Sequence, residues 1–347
     1  MASKSLGNAK YVNYSKYGYM FIAPFFICYF LFALVPIAQV FIMAMGTNLS
    51  ENILINGQEF EGFDNFDRIL FADVRPWKAT KEAFFAAFKN TCVLWIGNFV
   101  PQILLSLLLA VWFTDSKIKI AGKGVFKTIV YMPNIITAAS VGALFISMFS
   151  KDKFCAANQV LAELGMNTVD FLSSEGGFLN TGNAVKMVWF IQCWMWFGNT
   201  TLMLMSGIMG ISESLFEAAD IDGANSKQVF FRITLPLLKP MMLYTLVTSM
   251  IGGLQMYDIP VLYNNSAEGL PVSSLETITY LISKNYKNYK YGISGAISVI
   301  LFIITALLGS VIFFMYRDKD EIRKKKQLKK LRAQAKARAK GLGDFGI

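Results

Sequence analysis

Polar side chains within long apolar runs are the residues of this chain best suited to bind a small molecule. Burying an amide or a carboxylate without a partner costs free energy, so such a residue either hydrogen-bonds a neighbouring helix or contacts a polar ligand. Aromatic rings nearby could stack on that ligand. The candidates are five polar residues and two aromatic neighbours: Gln102, Gln192, Asn199, Gln255 and Asp258, with Trp194 and Tyr257.

Several kinds of chemistry have no sequence signal. The chain has no histidine, the commonest general base and metal ligand, and no GxxxxGK[ST] phosphate-binding loop. Its four cysteines are scattered without CxxC spacing; three are interpreted as small apolar residues of the runs and Cys155 as an unassigned external thiol: Cys28, Cys92, Cys155 and Cys193. We therefore expect no enzymatic activity, metal site or bound cofactor on this chain.

The composition predicts a membrane protein. Hydrophobic residues make up 54% of the chain and charged residues only 16%, and a bilayer core requires about 20 apolar residues in a helix. We predict an all-α polytopic membrane helical bundle with six transmembrane helices. These lie at about residues 18–45, 91–114, 127–150, 185–211, 241–263 and 293–316.

Lysine and arginine in the short flanking segments predict the orientation, because cytoplasmic segments are enriched in them. Segment 1–17 carries Lys4, Lys10 and Lys16 and no acid. Loop 115–126 has three lysines, and the tail 317–347 is strongly basic. Both termini are thus expected to be cytoplasmic, which also places loop 212–240 in the cytoplasm. The first run is too long for a cleavable signal and is expected to remain as a helix.

The basic tail is expected to contact anionic lipid or to form a solvated helix. Each basic residue near an anionic surface gains about 1 kcal/mol. The tail follows a span directly and lacks the interleaved aromatic residues of a nucleic-acid site, so we expect no nucleic acid as a partner.

Loop 212–240 carries the signals of two short helices. Ser214 with Glu217 predicts a capping box, Gly223 a helix stop, and Asn225 with Gln228 a second cap. Pro236 and Pro240 mark the return to the membrane. The apolar residues of the second helix, Val229, Phe230 and Ile233, could insert into a groove of a partner or pack on the chain itself.

This loop resembles the EAA loop of permease subunits of binding-protein-dependent ABC importers. The positions in register are Glu217, Ala218, Ala219, Asp222, Gly223, Ala224, Phe230, Ile233, Leu235, Pro236 and Pro240. Shorter matches resemble the carbohydrate-type permeases: residues 19–24 with Phe32 and Pro36, residues 60–66, Asn90-Thr91, Pro133, Trp196 with Gly198, and Tyr291-Gly292. The resemblance covers most of residues 17–316, whereas the tail exceeds the family pattern.

The resemblance implies a function and a set of partners. Residues 18–316 would form the transmembrane domain of a carbohydrate importer in a bacterial-type cytoplasmic membrane. A second homologous permease, two ATPase subunits that bind ATP and Mg, and an extracytoplasmic solute-binding protein would complete it. That binding protein would contact segments 46–90, 151–183 and 264–292; the tyrosines of the last segment favour an interfacial aromatic belt instead.

By the same resemblance, the loop would dock on the ATPase. Glu217 would hold the helix start, Gly223 would form the sharp turn, and Phe230 and Phe231 would belong to the docking face. The expected coupling residues are Glu217, Ala218, Ala219, Asp222, Gly223, Ala224, Phe230, Phe231 and Pro236. The polar candidates within the spans would line the sugar path, with Asp258 near its external boundary.

Three alternatives remain. The importer could carry another small solute such as a sugar phosphate. A secondary transporter would carry ionisable residues in mid-span or internal repeats, whereas the spans here are nearly free of charge and no clear repeat is seen. A membrane scaffold would assemble partners without moving any solute.

Overall fold

The computed structural model describes residues 15–46, 60–115, 121–173, 182–266, 272–316 and 327–332. Within these ranges the secondary structure is helical, apart from one antiparallel bridge between Gly46 and Phe60. The all-α prediction is therefore confirmed for the described residues. The residues of segment 1–14 and most of the basic tail lie outside them.

Fourteen helical segments of the described ranges are numbered in chain order. They are α1 Ser15–Tyr29, α2 Val35–Ala44, α3 Asp64–Leu70, α4 Trp77–Thr114, α5 Lys123–Tyr131, α6 Ala138–Met148, α7 Ala156–Glu163, α8 Asn183–Met209, α9 Glu213–Ile221, α10 Ser226–Val229, α11 Lys239–Leu254, α12 Asp258–Ser266 and α13 Ile278–Lys287. The last long helix is α14, Tyr291–Tyr316, and shorter 3-10 or π turns connect several of these segments.

Three helices are long and apolar enough to cross a membrane: Tyr17–Ala44, Trp77–Thr114 and Tyr291–Met315. Three further pairs of helices meet the same criterion together, although each pair is bent by more than 40°. The described residues therefore contain three such helices, or up to six if each bent pair forms one span. The first, second and sixth predicted spans correspond to the three continuous helices.

The bent pairs differ from the straight spans that the sequence predicts. The third predicted span, 127–150, is α5 and a 3-10 turn through Pro133, followed by α6 after a 93° bend. The 3-10 turn ends because Ile136 and Thr137 adopt extended backbones, and the Thr137 hydroxyl accepts a hydrogen bond from Ser140 N at 3.3 Å. The fifth predicted span, 241–263, is interrupted at residues 255–257 between α11 and α12. The second begins at Trp77 rather than near residue 91.

The chain divides into two units, the first formed by residues 1–85 and 279–302. Its buried residues include Ala44, Ile69 and Phe84, together with one face of α14 from Ile293 to Ile300. The Asn65 side chain is fully buried and donates to the carbonyl oxygens of Ala44 at 3.1 Å and Gly46 at 2.8 Å. This amide attaches α3 to the end of the first apolar helix.

The second unit, residues 86–278 and 303–347, contains two apolar clusters. One includes Leu94, Ile191, Met195 and Ile259, and the other includes Ala110, Phe113, Leu204 and Met205. Along both α4 and α8, a stretch with polar side chains falls between the two clusters. That stretch lines a cavity.

Candidate functional site

A cavity of about 360 Å³ lies within the second unit. Residues of α4, α8, α11 and the start of α12 line it, and six of the seven predicted ligand contacts are among them: Gln102, Gln192, Asn199, Gln255, Tyr257 and Asp258. The seventh, Trp194, lies instead against Phe145 with ring centroids 5.4 Å apart, beside an apolar cluster. The structure thus brings six of the candidates to one site; whether they contact a solute stays a prediction.

Some polar side chains at this cavity are already engaged by neighbouring residues. The Gln102 amide donates to Thr200 Oγ1 at 2.7 Å, which links α4 to α8, and both residues are buried. The Trp95 indole donates to Ser249 Oγ at 3.2 Å, which links α4 to α11. The Asn98 amide donates to the Leu94 carbonyl at 2.8 Å. These hydrogen bonds hold the helices around the cavity in place. The observed role of Gln102 is therefore to join α4 to α8.

Other polar side chains at the cavity have no hydrogen-bond partner among the described residues. They include Gln192, Gln255, Asp258 and the buried hydroxyl of Thr245, and the amide of Asn199 reaches only the sulfur of Met203 at 3.9 Å. Gln192 is 9% exposed, whereas Gln255 and Asp258 are exposed. The buried Thr245 hydroxyl needs a partner, and a solute or water in the cavity could satisfy it and the Gln192 amide. These residues are best placed to contact a solute.

The lining also defines the electrostatics of the cavity. Asp258 is the one charged residue that lines it in the described part of the chain, and it is an acid. Trp95, Trp196, Tyr244 and Tyr257 add aromatic rings. Amides, hydroxyls and aromatic faces in a site without a basic side chain suit a neutral polar solute better than an anion, which is usually held by arginine or lysine.

Two adjacent glycines of α11 have different surroundings at the cavity wall. A Cβ on Gly253 would lie 2.1 Å from Cδ1 of Trp95, so the indole packs directly on this glycine. A Cβ on Gly252 would meet no atom within 4 Å. Gly253 therefore allows the close approach of α4 and α11, and Gly252 leaves part of the cavity open.

The sequence prediction missed several lining residues, including Trp95, Asn98, Trp196, Tyr244 and Thr248. The feature of the sequence that identifies these residues is their spacing along each helix. Residues 95, 98 and 102 recur on one face of α4, residues 192, 196, 199 and 203 on α8, and residues 245, 248, 249 and 252 on α11. Searching the apolar runs for polar and aromatic residues with this spacing would have found them.

The 212–240 loop begins with α9, and the structure corrects its predicted start. The helix starts at Glu213 after Ser212, whose backbone is not helical, and no side chain caps it. Ser214 lies in the first turn, where its hydroxyl is 2.8 Å from that of Ser212. The predicted capping box of Ser214 with Glu217 is therefore wrong. Glu217 lies one turn inside α9 and does not hold its start.

The predicted stop at Gly223 agrees with the structure. Gly223 has a left-handed backbone with φ of +71°, and the amide of Ala224 donates to the Ala219 carbonyl at 2.9 Å. The Gly223 amide donates to the Asp220 carbonyl at 3.1 Å. Together these bonds form a Schellman motif, which satisfies the last carbonyls of a helix and favours glycine at this position. Ala219 is the buried residue of α9.

The second predicted cap is also present. The Asn225 side chain accepts from the Gln228 amide, and the Gln228 side chain accepts from the Asn225 amide, both at 2.9 Å. The helix continues from α10 into a π turn at Phe230–Thr234, followed by a short helix Leu235–Leu237 that contains Pro236.

The apolar residues of the loop are not equally exposed. Val229, Phe230 and Ile233 are half-buried, so the face predicted for docking is partly covered by the chain itself. Phe231 is 63% exposed, Ile221 86% and Leu215 44%. The Phe230 ring lies edge-on to that of Phe231, with centroids 4.9 Å apart. Of the predicted docking pair, Phe231 is thus the accessible ring and Phe230 supports it.

Comparisons with known proteins agree with this arrangement. Residues 91–318 match the family described as "Binding-protein-dependent transport system inner membrane component". The chain is 29% identical to the arabinooligosaccharides transport system permease protein AraP of Bacillus subtilis (strain 168), over 84% of this chain and 86% of AraP. It is 26% identical to the lactose transport system permease protein LacF of Rhizobium radiobacter, over 88% of this chain and 96% of LacF.

A solved structure shares the fold. A chain of a bacterial ABC transporter involved in the import of the acidic polysaccharide alginate matches with a TM-score of 0.71 and 21% identity. The match covers 87% of this chain and 96% of that chain. The family match spans both the cavity and the 212–240 loop. This chain therefore belongs to the family of binding-protein-dependent transport system inner membrane components, as the loop predicted.

Proposed function

We propose that this chain is the membrane-spanning permease subunit of an ATP-driven importer of neutral carbohydrates. The cavity would form its part of the sugar path, and the 212–240 loop would couple that path to an ATPase. The observation that carries the proposal is a loop with a defined turn and four exposed apolar side chains, Leu215, Ile221, Phe231 and Leu237, within a family of transport permeases. Water-exposed apolar residues on a short, well-fixed loop are typical of a docking surface.

The cavity supports a neutral sugar over a phosphorylated one. Its lining combines aromatic rings and amides with one carboxylate and, among the described residues, no lysine or arginine. Asp258 would repel a phosphate, whereas it can accept hydrogen bonds from sugar hydroxyls. A sugar phosphate is therefore the less favoured substrate.

The proposed importer has a defined topology and a set of partners. Six spans with both termini in the cytoplasm would place the 212–240 loop where an ATPase can reach it. The family description supports an inner-membrane location and a binding protein, and a related alginate transporter has been solved with a periplasmic protein that holds a pentasaccharide. A second permease and two ATPases, which bind ATP and Mg, would complete the complex; this chain would hold no cofactor. Anionic lipid is the proposed partner of the basic tail.

Co-purification tests the proposed role of the loop. The chain is expressed with its genomic neighbours, purified in mild detergent and analysed by mass spectrometry, as wild type and as Phe231→Glu. A charge on the exposed ring position should remove most of the ATPase while leaving the chain folded. Leu164→Glu is a matched control, because Leu164 is 69% exposed and lies outside the loop. Equal ATPase recovery in both variants would contradict the proposal.

A flux measurement separates the importer from its alternatives. Membrane vesicles that contain the complex and the binding protein are loaded with ATP or given an ion gradient without ATP. We expect accumulation of a neutral oligosaccharide with ATP only. Accumulation driven by the ion gradient would indicate a secondary transporter, and the absence of flux under both conditions would indicate a scaffold.

A further inference from the structure

A cluster of tyrosines and lysines lies where α13 ends and α14 begins. We call Lys284, Tyr286, Lys287, Tyr289, Lys290 and Tyr291 the tyrosine–lysine cluster. Tyr286 and Tyr289 are each 55% exposed. Their ring centroids lie 5.1 Å and 6.2 Å from that of Tyr291, both in edge-on contacts. The three rings therefore form one accessible aromatic surface.

The position of this cluster relative to the apolar core of the membrane follows from α14. Tyr291 is the first residue of the apolar helix Tyr291–Met315. The Ser294 hydroxyl donates to the Ile282 carbonyl at 3.0 Å, and Leu281 is 6% exposed, so α13 is held against the start of α14. The cluster must then lie at the boundary between hydrocarbon and water, where tyrosine side chains are stabilised by their amphipathic rings.

The charged residues of segment 277–291 are all basic. The chain has no acidic residue from Thr277 to Tyr291. The three lysines are exposed, and among the described residues no carboxylate forms an ion pair with Lys287 or Lys290. Lys284 lies 5.7 Å from the centroid of the Tyr280 ring. In the proposed topology this end of α14 faces outward, where the enrichment of basic residues in cytoplasmic loops does not account for three lysines.

Tyr289 has a strained backbone. Its φ of 60° makes it the one non-glycine residue with positive φ in the described part of the chain. Glycine or asparagine adopts this conformation more easily than a bulky residue does. The positive φ belongs to a Schellman motif that ends α13: the Tyr289 amide donates to the Tyr286 carbonyl at 3.0 Å and the Lys290 amide to the Asn285 carbonyl at 2.9 Å. Glycine would fit this position with less strain, so the presence of tyrosine favours a use for its ring. The Tyr289 ring is largely exposed and contacts only Tyr291 among the described aromatic rings, so it is accessible to a ligand.

We propose that the tyrosine–lysine cluster binds the phosphates of anionic phospholipids in the outer leaflet. The lysine ammonium groups would donate to the phosphate oxygens, and the tyrosine rings would insert at the level of the glycerol backbone. This contact fixes the outer end of α14 at the membrane surface. The assignment to the outer leaflet rests on the proposed topology, whereas the headgroup contact does not depend on transport.

Hydrogen exchange of the purified complex in nanodiscs tests the proposal. Discs contain phosphatidylcholine alone or phosphatidylcholine mixed with phosphatidylglycerol. We expect amides of residues 284–291 to exchange several-fold more slowly in the mixed discs. The triple variant Lys284→Gln, Lys287→Gln, Lys290→Gln should abolish this difference. Equal exchange of the wild type in both discs would overturn the proposal, and so would protection that appears only when the solute-binding protein is added.

Tyr289 variants separate the ring from the backbone. Tyr289→Gly and Tyr289→Asn both suit a positive φ and remove the ring, so a residue that served only the turn would be improved by either change. We expect the opposite in mixed discs: loss of the lipid-dependent protection in both variants and its retention in Tyr289→Phe. Full protection in Tyr289→Gly would show that the ring has no role. Because exchange is measured without transport, the result is independent of the proposed import function.

Discussion

Gly223 illustrates how one residue can control the 212–240 loop. Its left-handed backbone completes the Schellman motif, and a Cβ added there would meet no atom within 4 Å. Within the chain, a substitution therefore strains the backbone without causing a clash. Any further loss in the assembled transporter would come from a partner that approaches the glycine closely.

A substitution series at Gly223 tests this distinction. The left-handed conformation costs most residues about 1–2 kcal/mol and costs asparagine less. If backbone strain dominates, we expect coupled ATP hydrolysis to fall moderately in Gly223→Asn and severely in Gly223→Val. Equal and complete loss in Gly223→Asn, Gly223→Ala and Gly223→Val would instead show that the partner excludes any side chain. ATPase activity stimulated by loaded binding protein is the measurement.

Gln192 and Gln102 lie at the same cavity but have different surroundings. The Gln102 amide is satisfied by Thr200 at 2.7 Å, whereas Gln192 has no hydrogen-bond partner among the described residues. We expect Gln192→Leu to raise the sugar concentration needed for half-maximal uptake, because a lost hydrogen bond to a neutral group is worth about 0.5–1.5 kcal/mol. Gln102→Leu should chiefly lower the free energy of unfolding. In a double-mutant cycle, Gln102→Leu and Thr200→Val together should lower it by less than the sum of the two single changes. Unchanged uptake in Gln192→Leu would remove that residue from the sugar path.

Packing of the helices depends on glycines at close contacts. A Cβ on Gly198 of α8 would lie 2.0 Å from the backbone oxygen of Val130, and backbone cannot move aside as a flexible side chain can. A Cβ on Gly124 of α5 would meet no atom within 4 Å. The first glycine allows α5 and α8 to approach, and the second has no such role.

Gly198→Ala and Gly124→Ala form a matched pair for measuring this effect. We expect Gly198→Ala to lower the free energy of unfolding by about 1–3 kcal/mol, as for other overpacked contacts. Gly124→Ala should raise it by about 0.5–1 kcal/mol, because alanine is the better helix former. Thermal unfolding in detergent compares the two. A Gly198→Ala variant as stable as the wild type would show that the two helices can separate without cost.

For the helices, the sequence predicts where an apolar helix occurs better than it predicts where that helix bends or begins. The apolar runs appear as helices because burial in lipid demands satisfied backbone groups. The 93° bend near Pro133 was not predicted, because membrane helices tolerate proline and Pro133 alone therefore did not indicate a break. The break depends on the extended backbones of Ile136 and Thr137. The start of α9 was also predicted wrongly, because Ser212 and Ser214 are two residues apart and either could be the N-cap of a helix.

At the level of the site, polar residues in apolar runs were a sound signal for the cavity. Six of the seven candidates line the cavity. Gln192 and Asn199 do so because residues seven apart share a face of α8, whereas Gln255, Tyr257 and Asp258 lie at the break between α11 and α12. Trp194 does not line the cavity, since it is two residues from Gln192 and about 200° around the helix axis. The sequence could not indicate which amides bond to each other, because that depends on how α4 and α8 approach.

The whole transporter would work by differential docking. ATP can shift the permease between inward- and outward-facing states only if the ATPase binds the 212–240 loop with different free energies in the two states. The two caps, at Asn225 and at Gly223, keep the loop defined enough to transmit that difference. The aromatic and amide side chains that line the cavity would then be accessible first from one side of the membrane and then from the other.

ATP-driven sugar uptake in proteoliposomes tests the central claim most directly. The complex is reconstituted with its binding protein, and uptake of neutral oligosaccharides and of sugar phosphates is measured with ATP inside, for the wild type and for Phe231→Glu. The proposed function predicts accumulation of a neutral oligosaccharide by the wild type that is lost in the variant. Uptake that persists without ATP, or that is unaffected by Phe231→Glu, would contradict it.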